Sequence, residues 1–312
     1  MSQFGRKWEL TIINSDGSVK YVIPDPGRPE EVDLRIQFEI QTAIMQTPWY
    51  SDITIWNLNA LTEQQILTSA DKVIMKAGYE DAAYYGKIFE GNVFQSLFDR
   101  ENVTDFKTTL HCIDGLGIMD SNIVNFTTMA GYDQRTLIAQ MSRQARTPIN
   151  MGTITDSLKP QKMPRGKVLF GDHKKYLRDI AQDNGASHWY GNGNLNMGNI
   201  NDTYQSEALV LTPDSGLIGT PQQIENGVYF RVLLNPNLKI IQPMMVVKLD
   251  MSVIRQMKVY QNQLIGPLDE DGEYKIVSVK HVGDTRGDEW YTDCIGINLV
   301  GNVSALFGVY PW

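Results

Sequence analysis

The chain has 312 residues, 42% hydrophobic and 21% charged, with a formal net charge of -8. That length exceeds what one small core can serve, so two or three domains are expected, and the composition excludes a disordered chain. The acidic balance, with basic residues read as scattered and Lys174–Lys175 as their densest pair, argues against a nucleic-acid binder, which needs clustered cations to neutralise phosphates.

Cys112 and Cys294 stand far apart in no metal-like spacing, which fits two buried or half-buried thiols in a reducing compartment. The opening "MSQFGRKWEL" has basic residues but no apolar run behind them, so no secretory signal is expected. No window approaches the roughly eighteen apolar residues of a membrane span. Synthesis and folding in a cytoplasm follow.

The first third reads as strands. "KWELTII", a turn at "NSDGS" and "VKYVI" form a hairpin, because Asp16-Gly17 supplies the positive φ that such turns require. The proline-rich connector "PDPGRPEE" cannot sit in a central strand. "DLRIQFEIQ" then alternates strictly, with Leu34, Ile36, Phe38 and Ile40 on one face and Arg35, Gln37, Glu39 and Gln41 on the other. "DITIWNLN" repeats the pattern, and "LTEQQI" is at most a short helix. "KVIMKAGY", "GKIFEGNVFQSLF" and "DFKTTLHCIDG" add short strands, and strands with one polar face between frequent turns predict a small antiparallel barrel.

The middle third changes period. "NIVNFTTMAG" reads as a strand and "YDQRTLIAQMSRQAR" as a helix capped by Asp133, with Leu137, Ile138, Met141 and Ala145 on one face. A second helix, "HKKYLRDIAQDNG", follows Asp172, with Tyr176, Leu177, Ile180 and Ala181 as its apolar stripe and Gly185 as its stop. The loop "KPQKMPRG" lies between them. A small α/β module inserted into a strand-rich framework is the reading.

The last third returns to strands, in "YFRVLLNP", "MMVVKLD", "GEYKIVSVKHV" and "WYTDCIGINLV", bounded by Gly, Pro and Asn turns. In "EYKIVSVKHV", Tyr274, Ile276, Val277 and Val279 are set around Lys275, Ser278 and Lys280, which are expected to point outward.

No chemistry is written in a recognisable motif. Glycines 191, 193 and 198 in "HWYGNGNLNMGN" imitate a phosphate cradle, but a helix precedes them and no Lys-Ser/Thr pair follows, so Asn192-Gly193 is read as a hairpin turn. There is no G-x-S-x-G elbow and no H-E-x-x-H, and His111, His173, His188 and His281 are widely separated. Nothing selects two of the many carboxylates as an acid/base pair. "KHVGDTRGDEWY" offers His281, Asp284 and Asp288 as a loose ligand set and Arg286-Gly287-Asp288 as an adhesion tripeptide. The alternating strands on either side favour a long hairpin with its tip in water. No catalytic, cofactor or metal residue is assigned, and the expectation is not an enzyme.

In chain order, "ITIWNLNALTEQQI", "KVIMKAGYED", "GKIFEGNVF", "TTLHCIDG", "LVLTPDSGLIGTP", "VYFRVLLNPNLKIIQPMMVVKLD" and "GEYKIVSVKHVGDTRGDEWYT" cover most of the sequence. Together they resemble the baseplate hub proteins of contractile-tailed phages, the late-control-D and type VI spike-base group. The resemblance implies a mainly β fold with two tail-tube-like antiparallel β-barrels and an α/β domain between them. The first barrel is expected at 1–120 and completed at about 205–225 through "EALVLTP", the insert at 121–204 and the second barrel at 226–312, with Ser215-Gly216-Leu217 marking a crossing between barrels.

The resemblance further implies a homotrimeric ring whose six barrels match a sixfold tail tube to a threefold spike. Its expected partners are the tube or tube-initiator protein, the central spike, neighbouring baseplate proteins and, transiently in the bore, DNA. No membrane insertion of its own is expected. No long C-terminal needle is present, so the spike is expected to be a separate polypeptide. The location implied is the virion tail baseplate, after synthesis in the host cytoplasm. Gln37 and Glu39, on the wet strand face, are the candidates for the lumen, where acidic and amide groups would deny DNA phosphates cationic partners. The thirteen Met and six Trp offer adaptable and anchoring contacts. A tailocin or type VI-like hub, a tail-associated cell-wall hydrolase and a glycan-binding β-protein are the alternatives.

Overall fold

The computed structural model describes residues 5–14, 17–25, 27, 34–44, 50–115, 123–145, 149–191, 193–199, 202, 208–224, 227–240, 244–250, 252 and 271–299. Strands dominate. The first segment runs β1 (Arg6–Asn14), β2 (Val19–Ile23), β3 (Ile36–Ala43), β4 (Tyr50–Trp56), α1 (Ala60–Ser69), β5 (Ala70–Tyr79), β6 (Tyr85–Arg100) and β7 (Phe106–Ile113). β1 and β2 form the expected hairpin, with Gly17 at φ 82° in its turn. Most of the connector "PDPGRPEE" falls outside the described residues. Helix α1 is ten residues long, longer than read from "LTEQQI". The Asn59 side chain accepts from the Leu61 N–H to cap it, and Ile66 is its one buried residue, so its sequence carries little helical periodicity.

Alternation in β3 is realised in space. Ile36, Phe38 and Ile40 are buried, Gln37 and Gln41 half-buried and Glu39 exposed. Sliding this strand by one residue would expel the three apolar side chains at about 1.5–3 kcal/mol each, which fixes its register.

The second segment contains β8 (Ile123–Thr128), α2 (Gln134–Gln144), β9 (Asn150–Ile154), β10 (Lys167–Asp172), α3 (His173–Asp183), β11 (Ala186–Gly191) and β12 (Asn194–Asn199). Asp133 caps α2 by accepting from the Thr136 N–H, and Asp172 caps α3 by accepting from the Lys174 N–H. Leu137, Ile138, Met141, Leu177, Ile180 and Ala181 close over a core of their own with Val124, Leu169, Leu195 and Met197. β11 and β12 pair as a hairpin about Gly193, at φ 76°.

The third segment contains β13 (Leu209–Leu211), β14 (Leu217–Ile224), β15 (Gly227–Leu233), β16 (Val246–Leu249), β17 (Glu273–Asp284) and β18 (Trp290–Asn298). β13 pairs with β16 and β14 with β15, and Leu211 and Leu217 lie in the core of this segment. Residues 209–211 and 217–224 thus pair within this segment, and residues 205–207 lie outside the described residues.

The two strand-rich halves are one sheet. Thirteen strands join in the order β14-β15-β18-β17-β3-β4-β7-β6-β5-β1-β2, with β16 and β13 attached through β17. Among the described residues β2 and β14 end the sheet, and it does not close into barrels. The link is β17, which exchanges partners along its length. Its first residues pair with β16, and Ser278–Asp284 pair with β3. A bulge between Ile276 and Ser278 marks the handover and bends the strand there.

Lys275 and Ser278, expected to face outward, are 1% and 8% exposed. β17 has apolar cover on both faces. Tyr274, Ile276 and Val279 enter the core of the third segment, while Val277 packs with Ile44, Met244, Ile295, Ile297 and Trp189. A strand covered on both sides does not obey the half-buried alternation on which the expectation rested.

Candidate functional site

Two features stand out where the halves meet, a largely polar face on one side of the sheet, broken by Val282 and by the Tyr50–Phe94 pair, and a clasp at its end. Residues opposite one another in an antiparallel ladder share a face. From Glu39 on β3 the register runs through Asp52 on β4, His111 on β7 and Gln95 on β6 in one direction, and Val282 on β17 and Tyr291 on β18 in the other. A neighbouring row runs Gln41, Lys280, Asp293 and Arg231. The polar face thus crosses seven strands and both halves.

Its charges are paired. Lys280 Nζ lies 2.7 Å from Glu39 Oε1 and His111 Nδ1 2.7 Å from Asp52 Oδ1. Arg231 donates to both oxygens of Asp293, at 2.6 and 3.0 Å, and its guanidinium sits 3.7 Å over the Tyr291 ring. The Asp293 hydrogen bond outweighs the cost of burial and holds the guanidinium above its ordinary range. Two carboxylates of the face, Glu39 and Asp293, thus each have a basic partner that the single strand does not reveal. The register places Gln37 and Glu39 on this face, with Glu39 exposed beside a cation the sequence pattern did not assign to it.

The clasp is the stretch "KHVGDTRGDEWY". Its tip lies in water at Arg286, Asp288 and Glu289, as expected, but Asp284 at the base of the tip is 4% exposed. Arg35 donates from Nε and Nη2 to Asp284 Oδ1 and Oδ2 at 3.2 and 2.7 Å, and its guanidinium stacks 4.3 Å over the Trp56 ring. Trp56 Nε1 in turn donates to Glu101 at 2.6 Å. Burial pushes the Asp284 carboxyl up, but the Arg35 hydrogen bond and the backbone N–H groups of Arg286 and Gly287 outweigh it and hold its pKa below the ordinary 3.8. Arg6 ties the loop from the other side, donating to the carbonyls of Asp284 (2.7 Å), Gly287 (2.5 Å) and Asp288 (3.3 Å).

Trp290 completes the lock. It joins the core of the first half, meets Phe38 edge-on at 5.4 Å and donates to the Gly78 carbonyl at 3.1 Å. Gly283 is required beneath it, because a methyl group there would overlap the Phe38 ring. The adhesion tripeptide is therefore held by its backbone, as architecture.

Behind the seam a cleft of about 200 Å³ is walled by Lys87 to Phe89 of β6, Leu238 to Ile240, and the insert's Thr153, Asn194 and Asn196, with Val279 and His281 at the seam itself. His281 is buried, its Nδ1 2.9 Å from Thr292 Oγ1, and burial first and Lys239 second push its pKa down to about 3. His173 and His188 are buried in the insert, away from His111 on the polar face. Among the described residues no three His, Cys, Asp or Glu side chains gather in a way that would hold a metal. No helix among them is long and apolar enough to cross a membrane. Cys112 and Cys294 are buried free thiols.

Three comparisons place this architecture. A 43 kDa tail protein of prophage MuSo2 from Shewanella oneidensis superposes with a TM-score of 0.55 at 10% identity, over 94% of this chain and 98% of that one. An E. coli protein, c3393, described as a type VI secretion component similar in structure to the phage T4 tail proteins gp27 and gp5, gives 0.53 at 8% identity, over 86% and 74%. The Francisella PdpA-VgrG complex gives 0.54 at 11% identity, over 98% of this chain and 60% of that one. At these identities the likeness is one of fold. No curated protein sequence matches the chain. The baseplate hub gp41 family model matches residues 38–252, a stretch that takes in most of β3, all of β4, β6 and β7 of the polar face and the whole insert. With a match over more than half its length and a phage-tail fold, this chain belongs to the baseplate hub gp41 family.

Proposed function

We propose that the protein is the structural hub of a contractile phage tail, a homotrimeric ring that adapts a sixfold tube to a threefold spike and leaves a bore for DNA. The observation that carries this reading is the joining of two strand-rich halves, each with its own apolar core, into one sheet with a largely polar face shared by both. Three such chains offer six similar units around an axis, which is the arithmetic a three-to-six adaptor requires.

In this reading each half acts as a tube-like unit. The first spans about 1–120 and the α/β insert about 121–204. The second spans about 226–312, with strands at 209–224 added to it. The polar face lines the bore, with Gln37 and Glu39 among its residues. Cations on that face are already occupied by carboxylates, so passing phosphates find few free partners. The tube, the spike and neighbouring baseplate proteins are the partners, and the role is mechanical rather than catalytic. A tailocin or type VI-like machine uses the same geometry, and the type VI and VgrG structures among its fold neighbours favour that as the second reading.

Mass measurement by native spectrometry and light scattering tests the proposal, on the protein alone and mixed with candidate tube and spike proteins. A trimer, alone or assembled on a spike, is the expected result. A strict monomer in every mixture overturns it.

A further inference from the structure

Resting on the hub reading, we propose that the outer edge of β8 in the insert is a strand-addition site for an extended, acidic segment of another tail or baseplate polypeptide. β8 and β10 form a two-stranded ribbon separate from the large sheet. The Phe170 N–H and C=O both meet the Tyr176 hydroxyl, at 3.1 and 3.0 Å, so they point away from β8 and the outer edge of β10 is closed there. Opposite residues of an antiparallel ladder turn their backbone groups either both toward each other or both away. Asn125, opposite Phe170, and Thr127, opposite Val168, therefore present N–H and C=O groups outward. Among the described residues nothing pairs with them. Open edges of this kind are templates for another strand.

The side chains on the same ribbon supply the second argument. Val124 and Leu169 enter the insert core, while Ile123, Val168 and Phe170 turn to the other face, with Phe170 71% exposed. Met129, just past β8, is 74% exposed. An apolar strip beside an open edge fits alternate side chains of an added strand.

Charge supplies the third. Residues 157–178 contain seven of the chain's 28 basic side chains and one of its 36 acidic ones, a segregation hidden by the overall -8. Lys159, Lys162, Arg165 and Lys167 are exposed. Backbone bonds from Met163 to Tyr132 and from Gly131 to Met163, each 2.8 Å, hold the loop carrying Lys162 and Arg165 alongside the continuation of β8. These cations lie on the β10 side of β8, one strand's width from the open edge, and an acidic strand docked there sits in their field. DNA would use the cations but neither the edge nor the apolar strip, so the observations favour a polypeptide.

Residue-resolved hydrogen exchange, on the isolated hub and on purified tails containing it, tests the inference. The Asn125 and Thr127 amides are expected to exchange freely in the isolated protein and at least about a hundredfold more slowly in tails. Thr127→Pro removes an outward N–H without touching the ladder to β10, and is expected to abolish the protection at Asn125 while leaving thermal unfolding unchanged. Should that variant fold poorly, the Lys162→Glu/Arg165→Glu pair removes the charge match without touching the strand, with the same expected loss. Equal exchange in both states overturns the inference. So does protection that grows with concentration of the isolated hub, which identifies a second copy, or protection removed by nuclease, which identifies DNA. Absence of the hub from tails overturns the hub reading and this one together, whereas a hub present with its edge still exposed overturns only this one.

Discussion

Arg35 and Asp284 lie 249 positions apart and meet in a two-pronged ion pair where the tip of the β17–β18 hairpin lands on the first half of the molecule. Asp284 is almost fully buried, while the Arg35 side chain is 39% exposed, so solvent screens part of the attraction. Replacing Arg35 with Ala leaves a buried carboxylate with fewer partners and is expected to cost about 2 kcal/mol, below the usual cost of breaking a fully buried pair. Urea unfolding reads this as a lowered midpoint with an unchanged slope. An unshifted midpoint would mean that Arg6 and Trp290 hold the hairpin tip without Arg35. The Asp284 pKa lies below its ordinary 3.8, so the pair contributes fully above about pH 4 and is lost as pH falls through the folded value.

Three buried histidines give a second, milder acid dependence. Burial, partly offset by Asp172 and aided by the smaller effect of Lys174, brings His173 down to about 4. Burial, then His173 and Arg178, brings His188 to about 4, and His281 is pushed to about 3. Each is neutral when folded, and the unfolded chain takes up the proton near the ordinary 6.5. Stability is therefore full above about pH 6.5 and falls as pH drops from there towards 4, where the unfolded state binds more protons. Chemical denaturation at a series of pH values checks this, and His188→Gln is expected to flatten the slope between those limits. A flat wild-type profile over that window would show that water reaches these rings.

Glu39→Lys tests the polar face. The substitution sets two lysines side by side where Glu39 now meets Lys280 at 2.7 Å. Because Glu39 is exposed, the change in stability is expected to stay below about 1 kcal/mol. If the face lines the bore, two cations side by side at that position retard DNA, and genome ejection from tails carrying the variant slows most at low salt. Ejection kinetics unchanged at low salt would remove Glu39 from the bore.

The sequence pattern reaches as far as half-buried strands and capped helices, and fails where an element is covered twice. Ile36, Phe38 and Ile40 against Glu39 were legible because one face of β3 meets a core and the other does not. Asp133 and Asp172 were legible because helix caps are local chemistry. Lys275 was read as outward because the periodicity of β17 contains no sign of Trp189 and its neighbours packing on the second face. The Arg35–Asp284 pair and the charge match of Glu39 with Lys280 depend on a ladder between strands more than two hundred residues apart, which no local window carries. The basic segment 157–178 was visible in composition, but its spacing over a strand, a loop and a helix disguised it as scatter.

Trp189 ties the insert to the sheet, and its removal is the sharpest test of that link. In β11 the residues His188, Trp189 and Tyr190 are all buried, but to different sides. Tyr190 faces the insert core, whereas Trp189, 1% exposed, packs with Ile44, Met244, Val277, Ile295 and Ile297 against the seam strands. Trp189→Ala opens a cavity between the two and is expected to cost about 3–5 kcal/mol, with Trp189→Phe costing less than half as much. The same cavity frees the insert to move on the seam, so limited proteolysis is expected to cut at the insert's connections before the large sheet is attacked. If Trp189→Ala instead unfolds at the wild-type midpoint and is cut no faster, other contacts around the junction cleft carry the attachment, and Lys87, Asn194 and Asn196 along its walls become the residues to substitute next.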